Sequence, residues 1–445
     1  MKYTQALKSN PIHNRLFETL KEVAKETNLR AYVIGGFVRD YFLNIINDDI
    51  DIVVEGSGIE FAKAFANKTE GKLSYYENYG TAMVKYYYSK YSDFTIEVEF
   101  VGARKEMYER GSRNPIVEDG TLEDDQKRRD FTINAMALSL NDDDFGELVD
   151  PFNGLSDLEN GIIRTPLDPN VTFSDDPLRM FRCARFKSKL NCVKNFDIEK
   201  NTYNAIKTNA DRCNILTQER ITEEINKMLG YTNSDVGLQV MYETGLWQQA
   251  FPSKLHSGGA IKIDKTNILQ SYQTVLDDYT NLKWFCLLYD NRWVDDIDEF
   301  VRLMKLPNDL AKYINKMAKW LYTPVKEVNL ADIKRCMSDC KLMIYDMVVM
   351  WRVHEKCYNR VYCKDKYDID EKYNYILETV KSLSNEFSYF KCPLNGNEIC
   401  EFLNITPSKE IGCIKAEIET GIFEGKILNS KEGAKLYLMN KYKMG

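Results

Sequence analysis

This chain of 445 residues has few histidines, and its cysteines do not follow the spacing of a known disulfide or metal-binding motif. It contains three histidines and eleven cysteines, and the first cysteine is Cys183. The N-terminal part therefore has neither a disulfide framework nor thiolate ligands for a metal, and the later cysteines show no CxxC or disulfide-like spacing. This usage is typical of a reducing compartment, so we expect a cytoplasmic protein.

Long apolar runs and an excess of basic charge are missing as well. The best apolar candidate, LMIYDMVVMW, is interrupted by Asp346 and is shorter than the roughly 20 residues that a membrane helix needs. The N-terminal segment lacks the apolar core and cleavage site of a secretory signal. The net charge of −7 argues against a uniformly basic nucleic-acid-binding protein, so any nucleic acid must be bound by local patches. We expect no membrane partner, and the sequence implies no protein partner.

Two kinds of periodicity divide the chain. Up to about residue 150, helical segments alternate with strand-like ones such as FTIEVEFVG, and beyond it helical periodicity dominates. This pattern predicts an α+β fold in which a small mixed β-sheet and helices form an N-terminal catalytic head, followed by an all-α neck, body and tail. The predicted boundaries are 1–150 for the head, 151–232 for the neck, 233–362 for the body and 363–445 for the tail.

Two aspartates in the segment DDIDIVV are candidates for metal binding. Asp49 and Asp51 are two residues apart in a strand-like segment, so their side chains point to the same face, about 7 Å apart along the backbone. From there both carboxylates can reach a pair of metal ions about 3.5–4 Å apart. Oxygen ligands without Cys or His favour Mg²⁺, with Mn²⁺ as an alternative. Glu97 and Glu99, again two apart, are candidates for a third carboxylate. Taken alone, a DxD sequence is more often a solvated turn.

The segment GGFVRD, which precedes the two aspartates, argues against a mere solvated turn. Gly35 and Gly36 follow the apolar segment AYVI and precede a helical run, so their N–H groups can approach a phosphate at a helix start. Arg39 adds a charged donor for phosphate oxygens. A glycine pair, an arginine and a DxD within about fifteen residues together indicate a site for a nucleoside triphosphate and metal ions.

Five segments occur in a characteristic order: IGGFVRD with DDIDIVV, RRDFTINAMAL, DPFNGLSDLENGIIR, SDDPLRMFRCARF and ERITEEINKML. In this order and spacing they resemble the successive motifs of the class II tRNA nucleotidyltransferase and poly(A) polymerase family. The resemblance covers roughly residues 15–230 and implies a nucleotidyltransferase head. It also favours Glu99 over Glu97 as the third metal ligand, because the spacing from Glu99 to Arg104 is similar to that in family members.

The resemblance implies roles for three residues of KRRDFTINA. Arg129 and Asp130 are similar to the family's contacts to the nucleotide phosphate and sugar, where an arginine donates to phosphate and an aspartate accepts from ribose hydroxyls. Asn134 also matches the motif, and a structural role in holding the strand is an equal alternative for it.

The segment SDDPLRMFRCARF offers a means of selecting bases. Asp176 and Arg179 are spaced i, i+3, which on a helix places them side by side. Cytosine and adenine each present an amino donor beside a ring-nitrogen acceptor, so an Asp that accepts and an Arg that donates would select C and A over U and G. The alternative is a surface ion pair. Arg182 and Arg185 continue the spacing and are expected to reach phosphates.

The charged segment between Glu99 and Arg129 reads as a flexible loop. In the resembled family a loop at this position helps the site to switch from CTP to ATP, and members that add only CC tend to lack it. Its presence here favours complete CCA addition.

The helical remainder departs from some relatives, which carry a metal-dependent phosphohydrolase domain marked by histidines. Gln273 and Tyr289 stand at the apparent counterparts of those histidines, with Asp290 retained, and predict a body without hydrolase activity. In the tail, lysines are interleaved with tyrosines. These lysines either bind the phosphate backbone of tRNA or belong to an amphipathic helix whose polar face is solvated. These lysines are Lys426, Lys431, Lys435, Lys441 and Lys443.

Together these observations predict an enzyme of the bacterial CCA-adding type. It would use two Mg²⁺ ions to transfer CMP and then AMP from CTP and ATP to the 3′ end of tRNA, releasing pyrophosphate. The alternatives are an A-adding, CC-adding or poly(A)-synthesising member of the same family, and a non-catalytic RNA-binding relative.

Overall fold

The computed structural model describes residues 2–87, 95–107, 116–251, 280–290, 297–321, 329–362 and 369–443. The chain divides into two compact units, one formed by residues 1–261 with 303–305 and the other by residues 262–302 with 306–445. The predicted division into head, neck, body and tail is finer than this, and it stays a prediction.

A mixed seven-stranded sheet, in the order β3-β4-β5-β2-β1-β8-β9, organises the N-terminal part of the first unit. Strands β2 and β5 run parallel, whereas the other neighbours in the sheet are antiparallel. The strands of this unit are β1 (Arg30–Ile34), β2 (Ile50–Glu55), β3 (Lys72–Tyr76), β4 (Thr81–Tyr87), β5 (Thr95–Gly102), β6 (Arg104–Met107), β7 (Ile116–Asp119), β8 (Ala137–Ser139), β9 (Leu148–Val149), β10 (Ile162–Ile163) and β11 (Asp197–Ile198).

Side chains along β5 alternate between a buried face of the sheet and an exposed face that carries Glu97 and Glu99. Ile96, Val98 and Phe100 are buried, and Phe100 packs against Phe61 and Phe65 of the helix that covers this face. The residues between them, including Glu97 and Glu99, point to the opposite face and are exposed, because successive side chains of a strand alternate.

Helices complete the first unit. They are α1 (Thr4–Leu7), α2 (Pro11–Thr27), α3 (Gly36–Phe42), α4 (Gly58–Thr69), α5 (Leu122–Lys127), α6 (Gly154–Asn160), α7 (Pro169–Asp175), α8 (Leu178–Asn191), α9 (Lys200–Asn209), α10 (Gln218–Leu229), α11 (Ser234–Thr244) and α12 (Leu246–Ala250). Helix α8 packs against both α10 and α11. The predicted fold class, a mixed sheet in the head followed by a mostly helical remainder, is confirmed. Among the described residues after position 160, the strands are the short parallel pair β10–β11.

The expectation of a flexible charged loop between Glu99 and Arg129 is wrong for much of that segment. Strands β6 and β7 pair antiparallel as a two-stranded ribbon. Helix α5 follows, and its start is fixed by a reciprocal cap in which the side chain of Thr121 accepts from the N–H of Asp124 and that of Asp124 accepts from the N–H of Thr121. Residues 108–115 lie outside the described part.

In its described part, the regular secondary structure of the second unit is helical. From residue 280 on, the helices are α13 (Thr280–Asp290), α14 (Ile297–Leu303), α15 (Asn308–Leu321), α16 (Leu330–Cys340), α17 (Ile344–Tyr362), α18 (Ile369–Phe387), α19 (Gly396–Leu403), α20 (Lys409–Phe423) and α21 (Lys431–Leu438). Gln273 and the side chains of Tyr289 and Asp290 lie outside the described residues, so the prediction about hydrolase activity is untested. Among the described helices, none is both long enough and apolar enough to cross a membrane.

Candidate active site

A cavity of about 610 Å³ in the first unit brings together residues from distant parts of the sequence. Its wall is formed by the turn between β1 and α3, the loop that leads into β2, residues 128–134, and one face each of α8 and α10. Each predicted nucleotide-binding residue lies on this wall, and so do Asp49 and Asp51. Residues predicted from four separate sequence motifs therefore lie around one cavity.

Gly35 makes the sharp turn at the bottom of the cavity. Its φ of +81° is in the left-handed region, and a Cβ atom at this position would lie 3.0 Å from Nη1 of Arg129. The N–H of Gly35 donates to the carbonyl of Met136 at 3.2 Å, so this donor is already used in a hydrogen bond within the protein. Gly36 is the first residue of α3, where N–H groups lack acceptors within the helix. Of the two predicted phosphate-binding amides, Gly36 is thus the better placed.

Three carboxylates lie on or next to the central strands β2 and β5; Asp49 and Asp51 line the cavity, whereas Glu99 is not among its lining residues. Asp51 on β2 is directly opposite Glu99 on the parallel strand β5, and Asp49 immediately precedes β2. Burial raises the pKa of the Asp51 carboxyl to about 6, and the charges of Asp49 and Glu99 add to the rise while Arg129 opposes it. The carboxylates therefore repel one another, and a cation between them would relieve the repulsion.

The strand register favours Glu99 over Glu97 as the third ligand. Glu97 is on the same face of β5 but is opposite Lys85 of β4, and its carboxylate lies 3.9 Å from the Lys85 ammonium. As the side chains stand, no three His, Cys, Asp or Glu residues of the described ranges are close enough to hold a metal ion together. The donor set nevertheless fits a hard cation, because all three side chains offer oxygen.

Asp130 is a buried carboxylate that organises one wall of the cavity. It accepts hydrogen bonds from Asn134 at 3.0 Å and from the N–H of Phe131 at 2.8 Å, and it pairs with Arg182 at 2.7 Å. Burial alone would raise its pKa, but Arg182 and Asn134 more than offset that effect, and the pKa falls to about 2. Asp130 therefore stays ionised and fixes the guanidinium of Arg182.

Arg129 and Arg39 are held by protein groups. Arg129 donates from Nε to Asp125 at 3.0 Å, and Asp125 is a fully buried carboxylate that also pairs with Arg128. Arg39 is buried; it donates to Asp40 at 2.7 Å and to the side-chain oxygen of Asn134 at 2.6 Å. Asn134 therefore bridges Arg39 and Asp130, and both roles considered for it stay predictions.

The expectation that Asp176 and Arg179 share one helix face is wrong. Helix α7 ends at Asp175, Pro177 precedes α8, and Asp176 occupies the junction with an extended backbone. One carboxylate oxygen of Asp176 accepts from the N–H of Leu178 at 3.2 Å. Both Asp176 and Arg179 nevertheless face the same cavity. The guanidinium of Arg179 is buried and donates to the carbonyls of Thr172 and Arg128, which fix its plane.

Arg182 and Arg185 are residues of α8 whose guanidinium groups lie close to an aromatic ring. The guanidinium carbons lie 5.8 Å and 4.5 Å from the centre of the Phe186 ring, respectively. Arg185 also donates to the buried carboxylate of Glu224 at 2.6 Å. Both arginines are therefore positioned by carboxylates at the cavity wall, and their predicted contact with phosphates stays a prediction.

Several cavity residues were missed by sequence reasoning. They are Asn47, Arg128, Leu178, Phe186, Lys189, Arg220, Glu223, Glu224 and Lys227. The four residues of α10 had a detectable signal, because their spacing of three, one and three places them on one helix face. Asn47 had none, since an asparagine before an aspartate is also typical of an ordinary turn.

The tail lysines of the second unit engage neighbouring groups. Lys426 pairs with Glu424 at 2.8 Å, and Lys441 pairs with Glu417 at 2.7 Å. Lys431 pairs with Glu398, and the ammonium of Lys435 lies 5.8 Å from the centre of the Phe402 ring. The side chain of Lys443 lies outside the described part. Their predicted role in RNA binding stays a prediction.

With carboxylates at the central strands of a mixed sheet, a glycine turn beside them and an arginine-lined cavity, the fold and the site are those of a nucleotidyltransferase. Comparisons with known proteins specify the family. The Poly A polymerase head domain matches residues 31–164, and the probable RNA and SrmB-binding site of polymerase A matches residues 195–254. The chain is 30% identical to the CCA-adding enzyme of Ligilactobacillus salivarius over 416 residues, which cover 92% of each protein. The chain belongs to the family of CCA-adding enzymes, as its motifs predict.

A further relative and two solved structures are also similar to the chain. An A-adding tRNA nucleotidyltransferase from Aquifex aeolicus is 43% identical over 172 residues, which cover 39% of this chain and 20% of that protein. The crystal structure of the Bacillus stearothermophilus CCA-adding enzyme in complex with CTP superposes with a TM-score of 0.74 at 22% identity and covers 98% of each chain. The CCA-adding enzyme of Thermotoga maritima, solved with tRNA, superposes with a TM-score of 0.66 at 23% identity, covering 99% of this chain and 98% of that one. The likeness to these structures shows a shared fold.

Proposed function

We propose that this protein builds and repairs the CCA end of tRNA, adding CMP from CTP and then AMP from ATP without a nucleic-acid template. The observation that carries the proposal is the common cavity. Carboxylates suited to phosphoryl transfer line one side of it, and Asp176 and Arg179, suited to reading a base, line another. The relative from L. salivarius is a CCA-adding enzyme that matches this chain over 92% of both lengths.

Members of this family normally use a divalent metal, and we assign it to Asp49, Asp51 and Glu99 as two Mg²⁺ ions. When bound, they supply a Lewis acid that lowers the pKa of the attacking 3′-hydroxyl and stabilises charge on the α-phosphate and on the leaving pyrophosphate. The strand register supports this assignment, because it sets Asp51 opposite Glu99.

The remaining cavity residues orient the nucleotide. Arg129, held by Asp125, and Gly36, at the start of α3, offer N–H donors for the triphosphate. Asp130 keeps its negative charge and can accept from a ribose hydroxyl in addition to its protein partners. These groups are fixed before the substrate arrives, and preorganised donors lower the cost of binding a charged ligand.

Base selection is assigned to Asp176 and Arg179. The carboxylate accepts from the amino group of C or A, while the guanidinium donates to the adjacent ring nitrogen. Two main-chain carbonyls fix the plane of the guanidinium, which supports a reading role because a selective donor must not rotate to suit the wrong base. A U or G would oppose its carbonyl to the carboxylate and its N–H to the guanidinium.

The direct test is incubation of the purified protein with tRNA lacking one, two or three 3′-terminal nucleotides, with CTP, ATP or both. Complete CCA addition predicts extension of all three substrates to the same end, with no growth beyond it. A second candidate is A addition alone, which is favoured by partial similarity to relatives named A-adding, such as that of Geobacter sulfurreducens at 34% identity over 278 residues. An enzyme of that kind would extend only the tRNA that lacks the final nucleotide. Failure to extend any of them would overturn the proposal.

A further inference from the structure

The loop of residues 43–49, which delivers Asp49 to the cavity, is held by its own side chains. The amide oxygen of Asn47 accepts from the N–H of Asp49 at 2.8 Å. On the other side of the loop, Asp48 lies 2.9 Å from the buried imidazole of His13 in α2. The position of Asp49 is thus fixed by side-chain contacts on both sides of the loop.

Asn47 also connects the loop to a buried carboxylate. Its amide nitrogen donates to Oδ2 of Asp40 at 2.8 Å. Asp40 is 2% exposed, and its other oxygen accepts from Arg39 at 2.7 Å. The same Oδ2 accepts from the ammonium of Lys189 on α8 at 3.2 Å. A continuous chain of hydrogen bonds therefore runs from the main chain of Asp49, through Asn47 and Asp40, to Lys189.

Helix α8 is the element that carries Arg179, Arg182 and Arg185 into the cavity. We propose that Asn47 is a positioning residue for nucleotidyl transfer, which sets the metal-binding Asp49 against the nucleotide-binding helix α8 through Asp40 and Lys189. The inference rests on the proposed function, because it gives Asp49 a metal and α8 a nucleotide. Asn47 also lines the cavity, and in this proposal it acts by holding Asp49 and through its link to α8.

The chemistry of the link requires an amide. Asn47 accepts on one side and donates on the other, which a carboxamide can do simultaneously and an alanine cannot do at all. Partners of this kind, which hold a metal ligand without touching the metal, typically cost about 10–100-fold in metal affinity or activity when removed. Asn47→Ala should therefore weaken binding of Mn²⁺ to the enzyme alone by about tenfold or more.

The matched control is Asn141→Ala. Asn141 is also an asparagine of the first unit, and its amide oxygen accepts a main-chain N–H, that of Ala31, at 2.9 Å. It does not line the cavity. The change removes the same atoms and a similar hydrogen bond, so a general loss of stability would appear in both variants. Free Mn²⁺ is measured by electron paramagnetic resonance on the full-length protein without substrates, and the thermal midpoint of each variant is recorded beside it.

The link to α8 is tested with Lys189→Met in the wild-type and in the Asn47→Ala background. Removing a lysine charge changes Mn²⁺ affinity by the same factor in both backgrounds if the two residues act independently. Connected residues are non-additive, so we expect the factors to differ by at least about twofold. Equal factors would overturn the link, and Mn²⁺ affinity in Asn47→Ala equal to that in Asn141→Ala would overturn the positioning role.

If Asn47→Ala does not fold, Asn47→Ser replaces it in the same comparisons. A serine hydroxyl is too short to bridge Asp49 and Asp40 together, so the same loss of Mn²⁺ affinity is expected and its absence would again overturn the positioning role. Failure of the proposed function has a different signature, namely wild-type protein that transfers neither CMP nor AMP whatever its affinity for Mn²⁺.

Discussion

Replacement of Asp176 by alanine tests base selection and has two separable effects. Asp176 lies at the α7–α8 junction and accepts the N–H of Leu178, so alanine removes a hydrogen bond at a helix start. Loss of an ordinary hydrogen bond of this kind costs about 1 kcal/mol of folding free energy. Alanine also removes the acceptor for the amino group that C and A share, so Arg179 is left to donate alone.

The magnitude follows from the charge of the lost acceptor. A hydrogen bond to a charged group contributes about 1.5–3 kcal/mol, and about 1.4 kcal/mol corresponds to a factor of ten in rate. CTP and ATP should therefore lose roughly one to two orders of magnitude in kcat/KM. UTP and GTP should lose far less, because their carbonyls are repelled by the carboxylate. The preference of the enzyme for CTP and ATP over UTP and GTP should therefore nearly disappear.

Asp176→Asn separates the two effects. An amide retains an acceptor for the N–H of Leu178, and it can turn either its oxygen or its NH₂ group toward the base. We expect near wild-type stability, useful incorporation of C, and a marked gain for U. The assay is single-nucleotide incorporation with each of the four triphosphates on tRNA that ends before the CCA. A uniform loss with the preference for C over U intact would refute the reasoning and leave Asp176 as a helix brace alone.

Four further predictions concern the carboxylates and the helical body. Asp49→Ala or Asp51→Ala should abolish both CMP and AMP transfer while tRNA binding in a filter assay is retained; substantial Mg²⁺-dependent turnover in either would exclude that residue as a ligand. Glu99→Ala should lose transfer in the same assay whereas Glu97→Ala should not, and the reverse result would mean that strand register is a poor guide to the third ligand. Because the pKa of Asp130 is depressed to about 2, its contribution of about 2 kcal/mol to folding is present above pH 4 and lost as pH falls through 2; urea unfolding of Asp130→Asn should lack that part of the pH dependence. Wild-type protein should not hydrolyse phosphate monoesters or cyclic phosphates, and activity that survives Asp49→Ala would reveal a second site.

Much of the fold could be predicted because the head obeys local rules. Alternation in TIEVEF predicts a strand with one buried face, and the structure shows that face buried. The nearness of Asp51 and Glu99 is a different matter, because it depends on β2 and β5 pairing in parallel and in register. Such pairing is not local, so the motif resemblance pointed to Glu99 where spacing alone left Glu97 equally possible.

The wrong expectations had local signals that were overlooked. Pro177 disfavours a continuous helix through Asp176, because a proline lacks the N–H that a helix interior needs. Thr121 followed three residues later by Asp124 is a helix-start signature inside the segment read as a loop. Asn47 and Lys189 are different, since their importance arises from a shared partner, Asp40, that no sequence spacing connects.

The acidic composition of the chain does not conflict with binding of nucleotides and RNA, because charge is distributed unevenly. The chain carries a net charge of −7, yet the cavity is lined by nine Lys or Arg side chains and six Asp or Glu side chains. The best-positioned arginines are paired with buried carboxylates, as Arg182 is with Asp130 and Arg185 with Glu224. Such pairing reduces their net attraction for phosphate but fixes their direction. Because removing one partner of a buried pair leaves an uncompensated charge, Asp130 and Glu224 should each matter to nucleotide binding as much as the arginine that it pairs with.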